Sequence, residues 1–421
     1  MSFWLSLIAL YLPFQLALNP ASGVDLASIR VLILGVFGLW LVEGLRKKKI
    51  VMGHNWTTAT VAIFLFLNLV SIFWASNEDF SSRKLLFLFS IFPIYFVMSA
   101  FATDLSKIIQ LTKMLLWGGA LVAVMGIGQF FGQFVWGLNR VYDFWAKTVI
   151  WPFLGKSFSV AVLQNPSWLV NVSGKTYLRA TATFPDPHMF SFFLGMLIPL
   201  ALSVYLVSRR KIYLLFLALM FLADVLTFSR GGYLGLFAGV VMLIIFFWSK
   251  IGFKYKIAGA VVLGFLILSL AVPSPISQRF ASSFDLKEGS NEGRLMIWKQ
   301  ALEVVRDHPL FGVGIGNYPL IIDPTADYRE PIYAHNTYLD IWTETGAFSF
   351  LAWMGIIISA FCGFLKRMPN DIFFMGGALS LVIFSVHSVV ETGIYSPVVL
   401  TLLLIIVGFS QISLGKNHEN N

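Results

Sequence analysis

Charge is scarce in this 421-residue chain: Asp, Glu, Lys and Arg together make up 12% of it, about half the share of a soluble domain. That scarcity excludes a cytosolic enzyme built on one compact core, a disordered chain and a coiled coil, all of which need more charge. Cysteine is scarcer still. The single Cys362 sits in an apolar run, which excludes a disulfide framework within the chain and any cluster of thiolate metal ligands. No H-x-x-x-H, H-E-x-x-H or D-x-D spacing occurs, so no metal and no cofactor is indicated. G-x-S-x-G is missing too, and with it the usual serine nucleophile. There is no internal repeat, low-complexity segment or domain-length linker.

What is present is apolar. Hydrophobic residues make up 57% and aromatic residues 16%, with 41 Phe and 13 Trp; the mean hydropathy is +0.79. Runs of about 20 apolar residues cross a bilayer core, and twelve such runs are expected, near 3–19, 29–45, 56–75, 85–102, 114–131, 187–208, 212–228, 232–249, 257–273, 347–365, 372–389 and 397–414. The fold class is therefore an all-α polytopic membrane protein, with residues 1–421 forming one integral membrane domain. The first run lacks a basic leader and a small-residue cleavage site, so it is read as a span and not as a signal peptide.

The net charge of +9 does not call for nucleic acid, because the basic residues fall on one side of the spans. Arg46, Lys47, Lys48, Lys49, Lys107, Lys113, Arg209, Arg210, Lys211, Lys250, Lys254, Lys256, Lys366, Arg367 and Lys416 occupy one set of connections, against Arg30, Arg83, Lys84 and Arg230 in the opposite short ones. The side rich in Lys and Arg is cytoplasmic. Both termini are then expected inside, and two long connections, about 132–186 and 274–346, outside. The first carries Trp136, Trp145, Trp151 and Trp168 and reads as an interfacial cap.

The outer side offers the candidate chemistry. Thr227-Phe228-Ser229-Arg230-Gly231-Gly232 joins two spans, with the glycines allowing a tight reversal and Gly231, Gly235 and Gly239 forming a small-residue stripe for helix packing. Arg230 there either snorkels to lipid phosphate or binds an anionic substrate, and Asp224 reads as a local partner for it. In the second loop, 290–306 reads as an amphipathic helix with Arg294 in its first turn and Leu295, Trp298, Leu302 and Val305 on one face. His308-Pro309 ends it, and Gly312, Gly314 and Gly316 follow as a flexible loop without the context of a nucleotide fingerprint. His335 stands at the start of a short helix that Asn336 or Thr337 can cap and Gly346 ends. The positive helix terminus disfavours imidazolium, so a neutral His335 suits a general base. Arg179 and His188 lie near the start of the sixth span. Guanidinium forks beside a base suit a phosphate-bearing substrate and attack by a hydroxyl. The different-class alternative, a polysaccharide or lipid transporter, sits poorly with so few charges inside the spans and no repeat.

Four motifs occur in order: Thr-Phe-Ser-Arg-Gly-Gly (227–232), Gly-Arg-Leu-x-x-Trp-x-x-Ala-Leu (293–302), His-Pro-Leu-Phe-Gly-Val-Gly-Ile-Gly-Asn-Tyr (308–318) and Ala-His-Asn-Thr-Tyr-Leu (334–339). With them the chain resembles the O-antigen ligase and polymerase superfamily, of Wzy-C type, with 212–365 as the ligase-related region. Thr-Phe-Pro-Asp-Pro-His (183–188) is similar to that family's approach to the sixth span, although Asn is more usual there than His188. The resemblance implies a GT-C-like membrane glycosyltransferase without metal. It implies inverting transfer of a glycan from an undecaprenyl-diphosphate carrier to a lipid- or protein-linked acceptor, on the outer face of the bacterial cytoplasmic membrane. A polymerase, whose acceptor is a second lipid-linked repeat, fits the same motifs. Matched motif by motif, Arg230 and Arg294 are expected to hold the diphosphate and His335 to activate the acceptor hydroxyl, with Arg179, His188 and Asn336 as further substrate-binding candidates.

Overall fold

A computed structural model describes residues 1–21, 24–50, 52–53, 55–164, 166–172, 174–247, 289–328 and 332–412. The fold is mostly helical and of membrane type. Among the described residues, six helices are long and apolar enough to cross a membrane: Ser28–Arg46, Trp56–Trp74, Glu78–Phe101, Leu105–Trp136, Pro187–Ser208 and Thr337–Arg367. Five shorter apolar helices lie at Ser2–Phe14, Ile212–Val225, Arg230–Ile245, Phe373–His387 and Pro397–Phe409. The run at 257–273, the first part of the 274–346 loop, His54, His418 and the basic residues 250, 254, 256 and 416 lie outside the described residues.

Several elements depart from uninterrupted spans for local reasons. The first helix gives way at Pro13 to an extended strand, Ala17–Ala21, paired antiparallel with Val24–Ala27; proline fixes φ and cannot donate to the preceding turn. The helix at 78–101 breaks between Glu78–Ile91 and Pro93–Phe101 for the same reason. The long helices carry exposed apolar side chains such as Phe66, Phe73 and Leu121 on their outer faces. The core is therefore the inner faces of Pro187–Ser208, Phe373–His387 and Pro397–Phe409, where Phe190, Phe192, Phe193, Phe374 and Phe384 are buried.

The 132–186 connection is built of short helices and the Leu169–Val172/Lys175–Leu178 hairpin. Of the four tryptophans expected there, Trp136, which ends the Leu105–Trp136 helix, and Trp151 are exposed. The other two are structural: Trp168 Nε1 donates to Pro185 O at 2.7 Å and Trp145 Nε1 to Ala182 O at 2.8 Å.

Gly346 separates the short helix at 337–345 from the long span that follows. Its backbone (φ 77°, ψ −178°) is open to glycine alone, and a Cβ there would overlap the Leu310 carbonyl. Gly346→Ala is expected to cost at least about 1–3 kcal/mol, read as a lower unfolding temperature in detergent; an unchanged transition would contradict the close approach.

Candidate active site

The site is assembled from four pieces of chain that the fold brings to one end of the bundle. The first is the helix Gly289–Asp307. Asn291, Arg294, Ile297 and Ala301 recur at helical spacing and share a face. Ala301 and Val304 are buried against Val313, Tyr318 and Ala334, with Ile297 packed beside them. Arg294 thus points inward. The apolar face expected from sequence is divided: Val305 is buried and Trp298 partly so, whereas Leu295 and Leu302 are exposed. Both stripes are apolar, since one meets protein and the other the outside, and periodicity alone does not rank them.

The glycine loop after this helix is pinned in place, which is a second correction. Gly312, Gly314 and Gly316 all have positive φ, and the loop is laced to its surroundings. Val313 N donates to Thr343 O at 2.9 Å and Gly314 N to Glu344 O at 2.8 Å, while Asn317 Oδ1 accepts from Ser76 Oγ and Asn77 N. The glycines supply backbone shape, and these hydrogen bonds hold the segment to its neighbours.

The second piece is the turn at 226–230. The chain reverses at Phe228, whose φ is 52°, and not at the glycines. Ser229 then caps the Arg230–Phe247 helix, with Tyr233 N donating to its carbonyl at 3.0 Å. Gly231, Gly235 and Gly239 lie within that helix and face the Phe373–His387 helix. At Gly235 a Cβ would come within 2.9 Å of the Ile383 carbonyl, so the small-residue stripe is a packing surface. Asp224 is not the partner of Arg230. Its carboxylate is fully buried beside Ser191, whereas Arg230 Nη1 donates to Asn291 Oδ1 at 2.8 Å. Asn291 and Arg294 are one turn apart, so Arg230 and Arg294 approach the same helix face.

The third piece carries His335. Asn336 caps the following helix, its Oδ1 accepting from Tyr338 N at 3.0 Å and Leu339 N at 3.1 Å; that oxygen is committed to the backbone. His335 has φ 47°, a left-handed conformation that costs about 1–3 kcal/mol in a residue with a side chain and persists where surroundings over-determine it.

The fourth piece is the turn after the Phe373–His387 helix, and it holds the residue at the centre of the site. Glu391 accepts from His335 Nδ1 at 2.7 Å through Oε1 and from Arg294 Nη2 at 3.3 Å through Oε2, and His188 Nδ1 lies 3.8 Å from Oε2. Sequence reading passed over Glu391 because its partners are 97 and 56 residues away in the chain. Its position beside a span end was the available signal.

His188 continues the network inward. Its Nδ1 is 3.0 Å from Ser229 Oγ, and its Nε2 is 3.5 Å from Arg179 Nη2. A guanidinium only donates, so Nε2 accepts and the His188 proton sits on Nδ1. Ser229 Oγ in turn lies 3.4 Å from His387 Nε2. Arg179 is buried and holds the turn: Nε donates to Thr227 O at 2.7 Å and Nη1 to Ser167 O at 2.9 Å. Arg294, His335 and His188 therefore converge on Glu391, while Arg230 joins through Asn291 and Arg179 through His188.

Electrostatics assigns the protons. Burial pushes the Glu391 carboxyl up, but His335, His188 and Arg294 together hold it well below the usual carboxylate range. The Glu391 charge raises His335 above the ordinary histidine value; burial and Arg294 oppose that rise without cancelling it. This overturns the expectation that the helix terminus keeps imidazolium from forming: a full charge at 2.7 Å outweighs a partial one. With Nδ1–H fixed on Glu391, Nε2 is the basic nitrogen, and the side chain is 42% exposed. A substrate hydroxyl can reach it.

Residues 215–354 match the family model described as O-antigen ligase. That stretch, about a third of the chain, is what is similar to the O-antigen ligase and polymerase superfamily. The exopolysaccharide production protein ExoQ of Rhizobium meliloti (strain 1021) is 28% identical over 94 residues, 20% of this chain and 22% of that protein; the chain spans about a fifth of this curated relative. Arg230, Arg294 and His335 fall inside the ligase-family region, whereas Arg179, His188 and Glu391 lie outside it and reach it through the fold. The six long apolar helices and five shorter ones are those of a multi-pass membrane protein.

Proposed function

We propose that the chain transfers a glycan from an undecaprenyl-diphosphate carrier to an acceptor hydroxyl on the outer face of the cytoplasmic membrane. The observation that carries this reading is the convergence of Arg294 and His335 on the buried Glu391, with Arg230 one helical turn away through Asn291. In this reading twelve helices cross the membrane, both termini are cytoplasmic and 274–346 is the outer loop.

The acceptor hydroxyl attacks the anomeric carbon as its proton passes to His335 Nε2. The bond to the diphosphate breaks in the same displacement, so the configuration inverts. Glu391 stabilises the imidazolium that forms. Arg230 and Arg294 take the negative charge that develops on the departing diphosphate, the part a divalent ion plays in other transferases. Arg179 and His188 set the shape of the donor pocket, and Asn336 is the further substrate-binding candidate beside His335. The similarity to an exopolysaccharide production protein favours a second reading in which the acceptor is another lipid-linked repeat and the product a polymer.

Reconstitution in vesicles with a lipid-linked glycan and alternative acceptors tests both. A single addition to a non-repeat acceptor marks a ligase, a ladder of repeats a polymerase, and no transfer to any acceptor sinks the reading. Transfer is expected to persist at the same rate, within about twofold, in excess chelator, since two guanidinium groups supply the charge stabilisation. Strict dependence on a divalent ion would remove the arginines from that role.

A further inference from the structure

We propose that Asp340 is the positioning residue of the His335–Glu391 pair: one buried carboxylate grips the residue before His335 and the residue after Glu391, and so fixes the two against each other. The proposal rests on the transfer reading above and adds to it the part that keeps the base in register.

The side chains it aligns are 56 residues apart in sequence, so nothing local sets their separation. Asp340 lies in the first turn of the helix that follows Asn336, and its N–H donates to Asn336 O at 3.0 Å. From there its carboxylate reaches both sides. Oδ1 accepts from Ala334 N at 2.8 Å, and Oδ2 accepts from Thr392 Oγ1. Thr392 N in turn donates to Glu391 Oε1 at 3.2 Å. Thr337 adds a second seam, its N donating to Ser388 O at 2.9 Å and its Oγ1 to Glu391 O at 3.2 Å.

Two physical facts give this geometry a purpose. A fully buried carboxylate is costly and is tolerated where it satisfies donors that would otherwise be unpaired; Asp340 is 1% exposed and satisfies two. His335 holds a left-handed backbone that relaxes unless its neighbours are fixed, and Ala334 is the neighbour Asp340 fixes. The helix N-terminus favours the charge. One turn further on, the buried Lys84–Glu344 pair at 2.7 Å anchors the same helix, and Lys84 Nζ lies 3.6 Å over the Tyr395 ring.

The test uses the full chain reconstituted with a lipid-linked glycan donor. Asp340→Ala is expected to lower kcat about 10- to 100-fold, the scale of a misplacement near 1 Å, with KM for the donor nearly unchanged. The charged groups facing His335 are Glu391, Arg294 and Asp340. With Asp340 gone and Glu391 released, the acid limb of the pH profile should move down toward the ordinary histidine value of about 6.5. The direct loss of the Asp340 charge acts in the same direction, so Asp340→Asn and Thr392→Val separate the two causes. Asn removes the charge but keeps the grip, its carbonyl accepting from Ala334 N–H and its amide donating to Thr392 Oγ1; most of kcat should return. Thr392→Val keeps the charge but loses one side of the grip, and should lower both kcat and the limb. Thr392→Val also carries the test if Asp340→Ala does not fold. A limb left in place by Thr392→Val, or an Asn variant as impaired as Ala, overturns the proposal. Transfer retained by His335→Ala would instead overturn the base assignment beneath it.

Discussion

His335→Ala is expected to remain inserted in the membrane and to lose about 10²- to 10⁴-fold in glycan transfer, the range a positioned general base contributes. The side chain is half open and makes its one described hydrogen bond to Glu391, so its removal should disturb packing little. The pH dependence identifies its role. The base acts unprotonated, and Glu391 raises His335 above its ordinary value of about 6.5. Transfer should therefore be full at high pH and fall as pH drops through that raised value. Glu391→Gln removes the charge that raises it, so the limb should move to lower pH while the plateau also falls, because the imidazolium formed during transfer loses its counter-ion. A wild-type profile flat from pH 5 to 9, or a limb moved upward by Glu391→Gln, would contradict the pairing. The measurement is initial rate against pH in vesicles, with membrane insertion checked by protease protection.

Arg294→Ala should have the next largest effect, a loss of about 10²- to 10³-fold in kcat. Arg294 faces inward on its helix with one guanidinium nitrogen 3.3 Å from Glu391 Oε2. A guanidinium carries further donors besides the one on Glu391, so one side chain can hold Glu391 and a phosphate oxygen together. A lysine is a single point charge and cannot do both, so Arg294→Lys is expected to recover little. A second effect separates this residue from a mere surface charge. Arg294 opposes protonation of His335, so its removal should shift the acid limb to higher pH, opposite to Glu391→Gln. Wild-type transfer in Arg294→Lys, or a limb moved in the same direction as in Glu391→Gln, would exclude this arrangement.

These predictions share a dependence on contacts between distant parts of the chain. Arg294 and His335 stood out in the sequence because charged residues were few and each could be weighed singly. Glu391 did not, although it joins them, because a carboxylate near a span end has no motif of its own. Asp340 was hidden for a related reason: in the sequence it is one more acidic residue in the first turn of a helix, where acidic residues are common. The loop expected to be flexible from its three glycines is hydrogen-bonded to its surroundings, since positive φ and mobility both call for glycine and composition does not distinguish them. Periodicity marked an apolar stripe on Gly289–Asp307 but did not tell which of its residues meet protein, because lipid and protein reward the same side chains.

The sequence by itself determined the solvent and the class of fold. Apolar runs long enough to cross a bilayer, a sparse and one-sided charge, and one cysteine follow from composition and order, which the chain carries without folding. It also supplied the motifs that hold Arg230, Arg294 and His335. Only the tertiary structure decided what those residues face. Proton affinity and hydrogen bonding depend on distances of a few ångströms between segments far apart in the chain, and the packing of Gly231, Gly235 and Gly239 against Phe373–His387, with the kink at Gly346, sets those distances.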